Sequence, residues 1–296
     1  AMLAWAAVGT LSLVWAEYRA PAVTELRALI LEPVLFYVIL RTLKPNRADL
    51  LKLVDTLLFA ALIVSVVGLL MFVTGTGAGV ITAEGGAERL ASVYGSPNNV
   101  ALFLGRAIPF ALAFALSALD RRRRIAAAML TVLLLGTVLL TLSAGALFIG
   151  IPAAMAAVLL LIYGRRAILA LIGLAGAGIA AAFIAAQSPR FARLLDFTQG
   201  TNFFRLRVWQ SAIQMITERP LTGIGLDQFL RVFRGRYMLP DAWQEPNLSH
   251  PHNILLDYWT RLGILGVILL VYTQVVFWRA AFDVYRRTRT IDPLLS

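Results

Sequence analysis

The chain has 296 residues, 59% of them hydrophobic and only 15% charged. A soluble domain carries about a quarter charged residues, so these proportions exclude an ordinary soluble fold and indicate a polytopic membrane protein. The formal net charge of +11 would suit nucleic acid, but the basic residues fall in short clusters between apolar runs, as cytoplasmic anchors do, and no soluble basic domain is left to bind DNA or RNA. With no cysteine, disulfides, thiolate metal sites and cysteine nucleophiles are excluded too.

Apolar runs of about 20 residues, the length that crosses a bilayer core, predict about eight spans, at roughly 1–16, 25–40, 51–74, 98–119, 125–143, 145–163, 167–186 and 253–278. Basic clusters follow the even-numbered spans: Arg41, Lys44, Arg47 and Lys52, then Arg121 to Arg124, then Arg165 and Arg166, then Arg279, Arg286, Arg287 and Arg289. All four clusters therefore fall on one side, which the positive-inside rule assigns to the cytoplasm, and the other loops face outward. The expected fold class is all-α, a polytopic membrane helix bundle with a long outward-facing helical loop. Its expected divisions are a seven-span bundle over 1–186, an extracytoplasmic loop over 187–252, and a last span with a basic tail over 253–296. An apolar opening without a basic leader, and an ending soon after a basic cluster, have the look of a piece of a longer chain.

Taken in order, the spans and loops hold a few anomalies. Glu32 lies before Pro33 in the second span and Arg106 lies in the fourth, and an ionisable group at such depth is either functional or part of a structural pair. The outward loop at about 75–99 opens glycine-rich, Thr74-Gly-Thr-Gly-Ala-Gly79, and ends Arg89-Leu-Ala-Ser-Val-Tyr-Gly-Ser-Pro-Asn98. Such glycines can cradle a phosphate, although this composition more often marks a flexible connection. A second outward loop, about 187–252, is much longer than an ordinary connection, and long loops tend to carry function.

Within that loop a helix wheel over Phe203 to Arg219 places Leu206, Val208, Trp209, Ala212, Ile213, Met215 and Ile216 on one half, with Gln210, Ser211, Gln214 and Glu218 opposite. This is an amphipathic helix fit to lie on a bilayer or to cover the bundle. Arg207 falls on its polar half. Arg205 falls within the apolar half, where a charge is costly unless its head snorkels or meets a partner such as a phosphate, the bidentate task that arginine suits. Arg219-Pro220 ends the helix, and a turn leads to a second short helix at about 227–234.

Both histidines of the chain, His250 and His252, sit in Ser249-His-Pro-His-Asn253 at the mouth of the last span. Imidazole titrates nearest neutrality, so a proton-transfer role at the membrane boundary is one reading, and a wet interfacial loop is the other. Asp257 and Arg261 are spaced to form a helix ion pair. There is no zinc motif, Walker loop or nucleophile elbow, and His250 and His252 with Asp241 or Glu245 make a weak metal set. A histidine base and arginines that can hold phosphate, on one face, suit transfer of a group from a membrane-held phosphate or diphosphate donor.

The run His252-Asn253, nine residues, then Gly263-Ile-Leu-Gly266 resembles the histidine motif of the O-antigen ligase family, which also includes related polysaccharide polymerases. Arg205-Leu-Arg-Val-Trp209 with Pro220-Leu-Thr-Gly-Ile-Gly225 is similar to that family's arginine-tryptophan and proline-glycine signature, and Gly95-Ser-Pro-Asn98 to its glycine-proline-asparagine segment. The resemblance covers about residues 85–278. It implies a glycosyltransferase of the cytoplasmic membrane with its active site on the outer, periplasmic side, acting without a metal or other cofactor. Its expected partners are an undecaprenyl diphosphate-linked glycan donor, a lipid or glycan acceptor and the surrounding membrane lipids. His252 would be the catalytic histidine, Arg205 the arginine that engages the donor diphosphate, and Arg207, His250, Asn253 and Asn98 further substrate contacts. Where members often carry a second arginine after serine, Thr141-Leu-Ser143-Ala144 has alanine, and Arg106 or Arg89 is expected to supply that charge. The alternatives that stay open are a polymerase with a carrier-linked acceptor, a non-catalytic glycan-lipid transporter, and an inactive relative that only binds the lipid.

Overall fold

The computed structural model describes residues 1–82, 86–117, 119–187 and 200–291. In chain order these form α1 (Met2–Leu11), α2 (Arg19–Glu25), α3 (Glu32–Leu43), α4 (Arg47–Thr74), β1 (Val80–Thr82), β2 (Glu88–Leu90), α5 (Pro97–Leu116), α6 (Arg121–Thr141), α7 (Ile151–Tyr163), α8 (Ala167–Ala186), α9 (Gly200–Glu218), α10 (Phe229–Val232) and α11 (Ile254–Ile291). The protein is a helical membrane protein. Among the described residues, five helical stretches are long and apolar enough to cross a bilayer: 47–74, 97–116, 121–141, 146–181 and 254–287.

The difference from eight has local causes. Residues 2–14 form a shorter apolar helix, and α2 and α3 are joined through a π-helical turn at Leu26–Leu31, so that the run from Arg19 to Leu43 includes Arg27, Glu32 and Arg41. Expected spans six and seven form one apolar stretch, yet Gly164 interrupts it with φ 57° and ψ −134°, between the two expected spans. By contacts the chain divides into two units, Ala1–Lys44 with Pro189–Val284, and Pro45–Ser188 with Tyr285–Ser296.

In the second of these units α5 is the central helix. Val100, Ala101, Leu104, Ala107, Ile108 and Ala111 recur at the 3–4 residue helical spacing and are buried against Leu134 and Val138 of α6 and Leu58 and Ala61 of α4. The small side chains permit close helix approach, the usual means of association where lipid offers no hydrophobic drive. Arg106 is on the opposite face of α5 and is exposed. Helix α4 begins with a capping box, Asn46 Oδ1 accepting from the Asp49 N–H at 3.0 Å and the Asp49 carboxylate accepting from the Asn46 N–H.

The glycine-rich loop is an ordered structure in the residues described. Strands β1 and β2 pair antiparallel, Val80 opposite Leu90, and Leu90, Ala91 and Ser92 are buried. Ser92 Oγ donates to the Val64 carbonyl of α4 at 2.9 Å. Gly68 makes that contact possible, since a Cβ there would lie 2.8 Å from Ser92. This small hairpin is an addition to the all-helical expectation.

The first unit joins α1–α3 to the segment from α9 to α11. Gln228 is fully buried, and its side-chain amide accepts from the Tyr18 N–H (2.7 Å) and donates to the carbonyls of Tyr18 (2.9 Å) and Leu226 (2.8 Å). A buried amide with these partners is satisfied and fixes the register of two segments 210 residues apart. Around it Ala16, Ala22, Leu26, Ile30, Leu226 and Leu262 form one core, and Val208, Ala212, Met215, Ile224, Phe229 and Phe233 form another.

The last helix is not the continuous span expected over 253–278. Gly263 breaks it with φ 65° and ψ −162°. Into this break fits the turn after α9: the Ile224 N–H donates to the Thr260 carbonyl (2.7 Å), and the Ile264 N–H (3.1 Å) and Trp259 indole (2.9 Å) donate to the Pro220 carbonyl. Those bonds satisfy groups that the broken helix releases. Ile254 and Leu255 before the break and Leu270, Val271 and Trp278 after it line one apolar cavity of about 690 Å³ that none of residues 256–269 reaches, so the chain bends there.

Candidate functional site

Helix α9 carries the first half of the site. Its buried stripe is Val208, Ser211, Ala212, Met215 and Ile216, spaced i, i+3, i+4, i+7, i+8, while Leu206 and Ile213 are 38% and 53% exposed. That face is rotated by roughly 60° from the apolar half read from the sequence, at 100° per residue. Ser211 is the cause. Its hydroxyl donates to the Tyr237 carbonyl at 2.6 Å, so a residue assigned to the polar half is satisfied inside the core.

Observed exposure corrects the reading of Arg205. The residue is exposed at the edge of the buried stripe, so its charge is not a desolvated one. Among the described residues its guanidinium has no hydrogen bond or carboxylate partner. Arg207 differs: it is bonded to Asp241 at 2.6 Å and to Gln210 at 2.9 Å, and it lies over the Phe203 ring at 4.9 Å. Its charge is thus already neutralised within the protein.

The second half of the site is the turn that carries the histidines. Trp209, one helical turn after Arg205, donates its indole N–H to the Pro251 carbonyl at 2.7 Å. Asn253 Oδ1 accepts from the backbone N–H groups of Leu255 (3.0 Å) and Leu256 (3.3 Å), which makes Asn253 the N-cap of α11. Between these anchors His252 adopts φ 52°, a left-handed conformation uncommon outside glycine, although histidine adopts it more often than most residues, as asparagine and aspartate do. The rings of His250 and His252 lie 4.2 Å apart, tilted by 53°, and Ser249 Oγ is 3.3 Å from His250 Nδ1.

His252 is exposed as a whole residue, yet partial burial is the first influence that lowers its pKa from 6.5 to about 4, followed by the neighbouring His250 and then by the Arg205 cation. The His250 pKa is lowered by burial as well. The influence of Arg205 on His252 shows that the two side chains chosen from the sequence share one electrostatic neighbourhood. At pH 7 the imidazole is neutral and can accept a proton.

The sign of the pH dependence follows. In the free protein, activity that depends on neutral His252 is complete above pH 5 and is lost as pH falls through about 4. A bound diphosphate places negative charge beside the ring and raises that value. The acid limb of kcat/KM should therefore lie near pH 4 and that of kcat at higher pH, as initial rates across a pH series will show. Coincident limbs near 6.5 would count against this arrangement.

Below the histidines a charge cluster joins α2 to α11. Arg261 is bonded to Asp257 at 2.9 Å, the helix pair expected from the spacing, and also to Glu25, with the three side chains only 17%, 21% and 12% exposed. Glu25 in turn accepts from the Asp227 N–H. The sequence offered a signal for Glu25, an acidic residue opening the second apolar run, but nothing local named its partner. Glu32 pairs with Arg27 at 3.3 Å on an exposed surface.

In the other unit, Arg89 of β2 donates through Nε to the Thr141 carbonyl at 2.8 Å and through a terminal nitrogen to Asn98 Oδ1 at 3.1 Å. It therefore sits at the end of α6, beside Thr141-Leu-Ser143-Ala144. Asn98 is held by that arginine in the first turn of α5. Arg106 has no hydrogen bond or ion pair among the described residues.

Residues 129–271 match the family model described as O-antigen ligase. No curated protein matches the chain.

Proposed function

We propose, from the match of residues 129–271 to the O-antigen ligase family model, that the protein is a glycosyltransferase of the cytoplasmic membrane. It moves a glycan from an undecaprenyl diphosphate-linked donor to an acceptor hydroxyl on the outer face. The observation that carries the reading is the shared neighbourhood of His252 and Arg205, one from the turn before α11 and the other from α9. In the reaction the bond between the sugar anomeric carbon and the diphosphate oxygen breaks, and a bond forms from that carbon to the acceptor oxygen. The acceptor proton passes to the His252 imidazole, and the electron pair of the broken bond leaves with the diphosphate, whose charge Arg205 offsets. His250 and Asn253 are assigned to the surroundings of the substrate. Within the other unit, Arg89 is favoured over Arg106 for the charge expected at the Ser143-Ala144 position, because it is bonded to the nearby Thr141 carbonyl.

The test is transfer by purified full-length protein in lipid nanodiscs, supplied with polyprenyl diphosphate-linked oligosaccharide and, in separate reactions, a lipid-core acceptor or a second carrier-linked oligosaccharide. Release of free polyprenyl diphosphate with a lengthened lipid-core acceptor is the expected result. A lengthened carrier-linked product assigns the polymerase instead, and movement of intact donor across vesicles without cleavage assigns a transporter. In the same assay Arg89→Ala lowers the rate more than Arg106→Ala.

A further inference from the structure

We propose that Trp209 is a positioning residue for His252, its indole N–H holding the Pro251 carbonyl and so fixing the strained turn that presents the imidazole beside Arg205. The proposal rests on reading His252 as the base of the transfer reaction, and it assigns Trp209 no contact with substrate.

His252 is in a backbone conformation that a side chain with a Cβ adopts at a cost, and such a conformation persists only where the surroundings over-determine it. Three bonds, on two sides of the residue, provide that here. On the far side Asn253 ties the chain to the first turn of α11 through the Leu255 and Leu256 N–H groups. On the near side Pro251 has no N–H, so its carbonyl is the one backbone hydrogen-bonding group it offers. That carbonyl is buried in a residue whose donor is Trp209, at 2.7 Å. A phenyl ring in the same place would pack but could not donate.

The donor is itself held still. Trp209 packs against the buried cluster of Val208, Ala212 and Met215, along with Leu248 and Leu256, which flank the histidine turn on both sides. Because Arg205 and Trp209 are four residues apart on α9, they share a helix face, one turn removed. The bond that fixes Pro251 therefore also sets the place of the imidazole relative to the guanidinium. The lowered His252 pKa, to which burial, His250 and Arg205 contribute in that order, agrees with the two groups being held together.

The experiment replaces the indole N–H alone, by site-specific incorporation of 3-benzothienylalanine at position 209 of the full chain, with Trp209→Phe as a second variant. Two quantities are read: kcat and donor KM, and the titration of the two histidines by NMR of ring-labelled protein, which the presence of only two histidines makes assignable. The expected result is a fall in kcat of about ten- to a hundredfold with donor KM within about twofold, since a displacement of the order of 1 Å at a reacting group has effects of this size. The His252 pKa should rise from about 4 toward 6.5 as the ring moves away from these surroundings. Loss of rate with an unmoved His252 titration shows a packing role and overturns the proposal, as does a moved titration with an unchanged kcat. If the parent protein transfers nothing, the transferase reading fails, while the titration still decides whether Trp209 holds the turn.

Discussion

His252→Ala should lower the initial rate of transfer by about a hundred- to ten-thousandfold, the range contributed by a positioned general base. Alanine at a left-handed position also strains the backbone, so His252→Asn is the better partner variant: asparagine tolerates that conformation and leaves the Asn253 cap and the Trp209–Pro251 bond in place. Both variants should be equally impaired, because what they share is loss of the imidazole. His250→Ala should retain rate within about tenfold, its ring serving as a neighbour to His252 rather than as the proton acceptor. Release of polyprenyl diphosphate per minute is the measurement, and an active His252→Asn protein would remove the histidine from the mechanism.

The second large effect is on folding. Gly263→Ala introduces a Cβ that would lie 2.0 Å from the Leu221 carbonyl oxygen at a residue with φ 65°, and Gly223, opposite, has the same problem with the Thr260 carbonyl at 2.4 Å. The obstacle in each case is backbone, which has no rotamer with which to retreat, and the turn carrying Gly223 is itself wedged into the helix break. Gly263→Ala should therefore destabilise by on the order of 4 kcal/mol or more, the size reserved for violations of packing and backbone geometry together. Thermal unfolding and the monodisperse fraction in detergent report it. Gly105→Ala is the control, since nothing lies within 4 Å of its added Cβ and alanine improves a helix interior by about 0.5–1 kcal/mol. Equal melting of Gly263→Ala and the parent would mean that the wedge is not what holds the break.

What was legible in the sequence was whatever depends on local pattern. Asp257 and Arg261 read as a helix pair, and they are bonded. Helix α9 was visible from its periodicity, but its rotation was not, because the partner that admits Ser211 to the core is the Tyr237 carbonyl, 26 residues on. The same reason hid the attachment of the first helices, which depends on Gln228 meeting Tyr18 across 210 residues. Gly263-Ile-Leu-Gly266 lies in an apolar run that reads as one continuous span, and only the turn that approaches it reveals that Gly263 ends one helical arm and starts another. Exposure of Arg205 could not be read from a wheel either, because it lies on the buried sector of α9 but ahead of Val208, where burial begins.

The bend at Gly263 couples anchoring to presentation. Beyond it, the uncharged residues 264–278 supply roughly 22 Å of helix, less than a hydrocarbon core of about 30 Å. The short arm ahead of the bend therefore has to supply part of the crossing as well. The corner is locked by protein, through the Pro220 and Ile224 bonds, so a thicker or thinner bilayer can tilt the anchor while the distance from histidine to arginine stays the same.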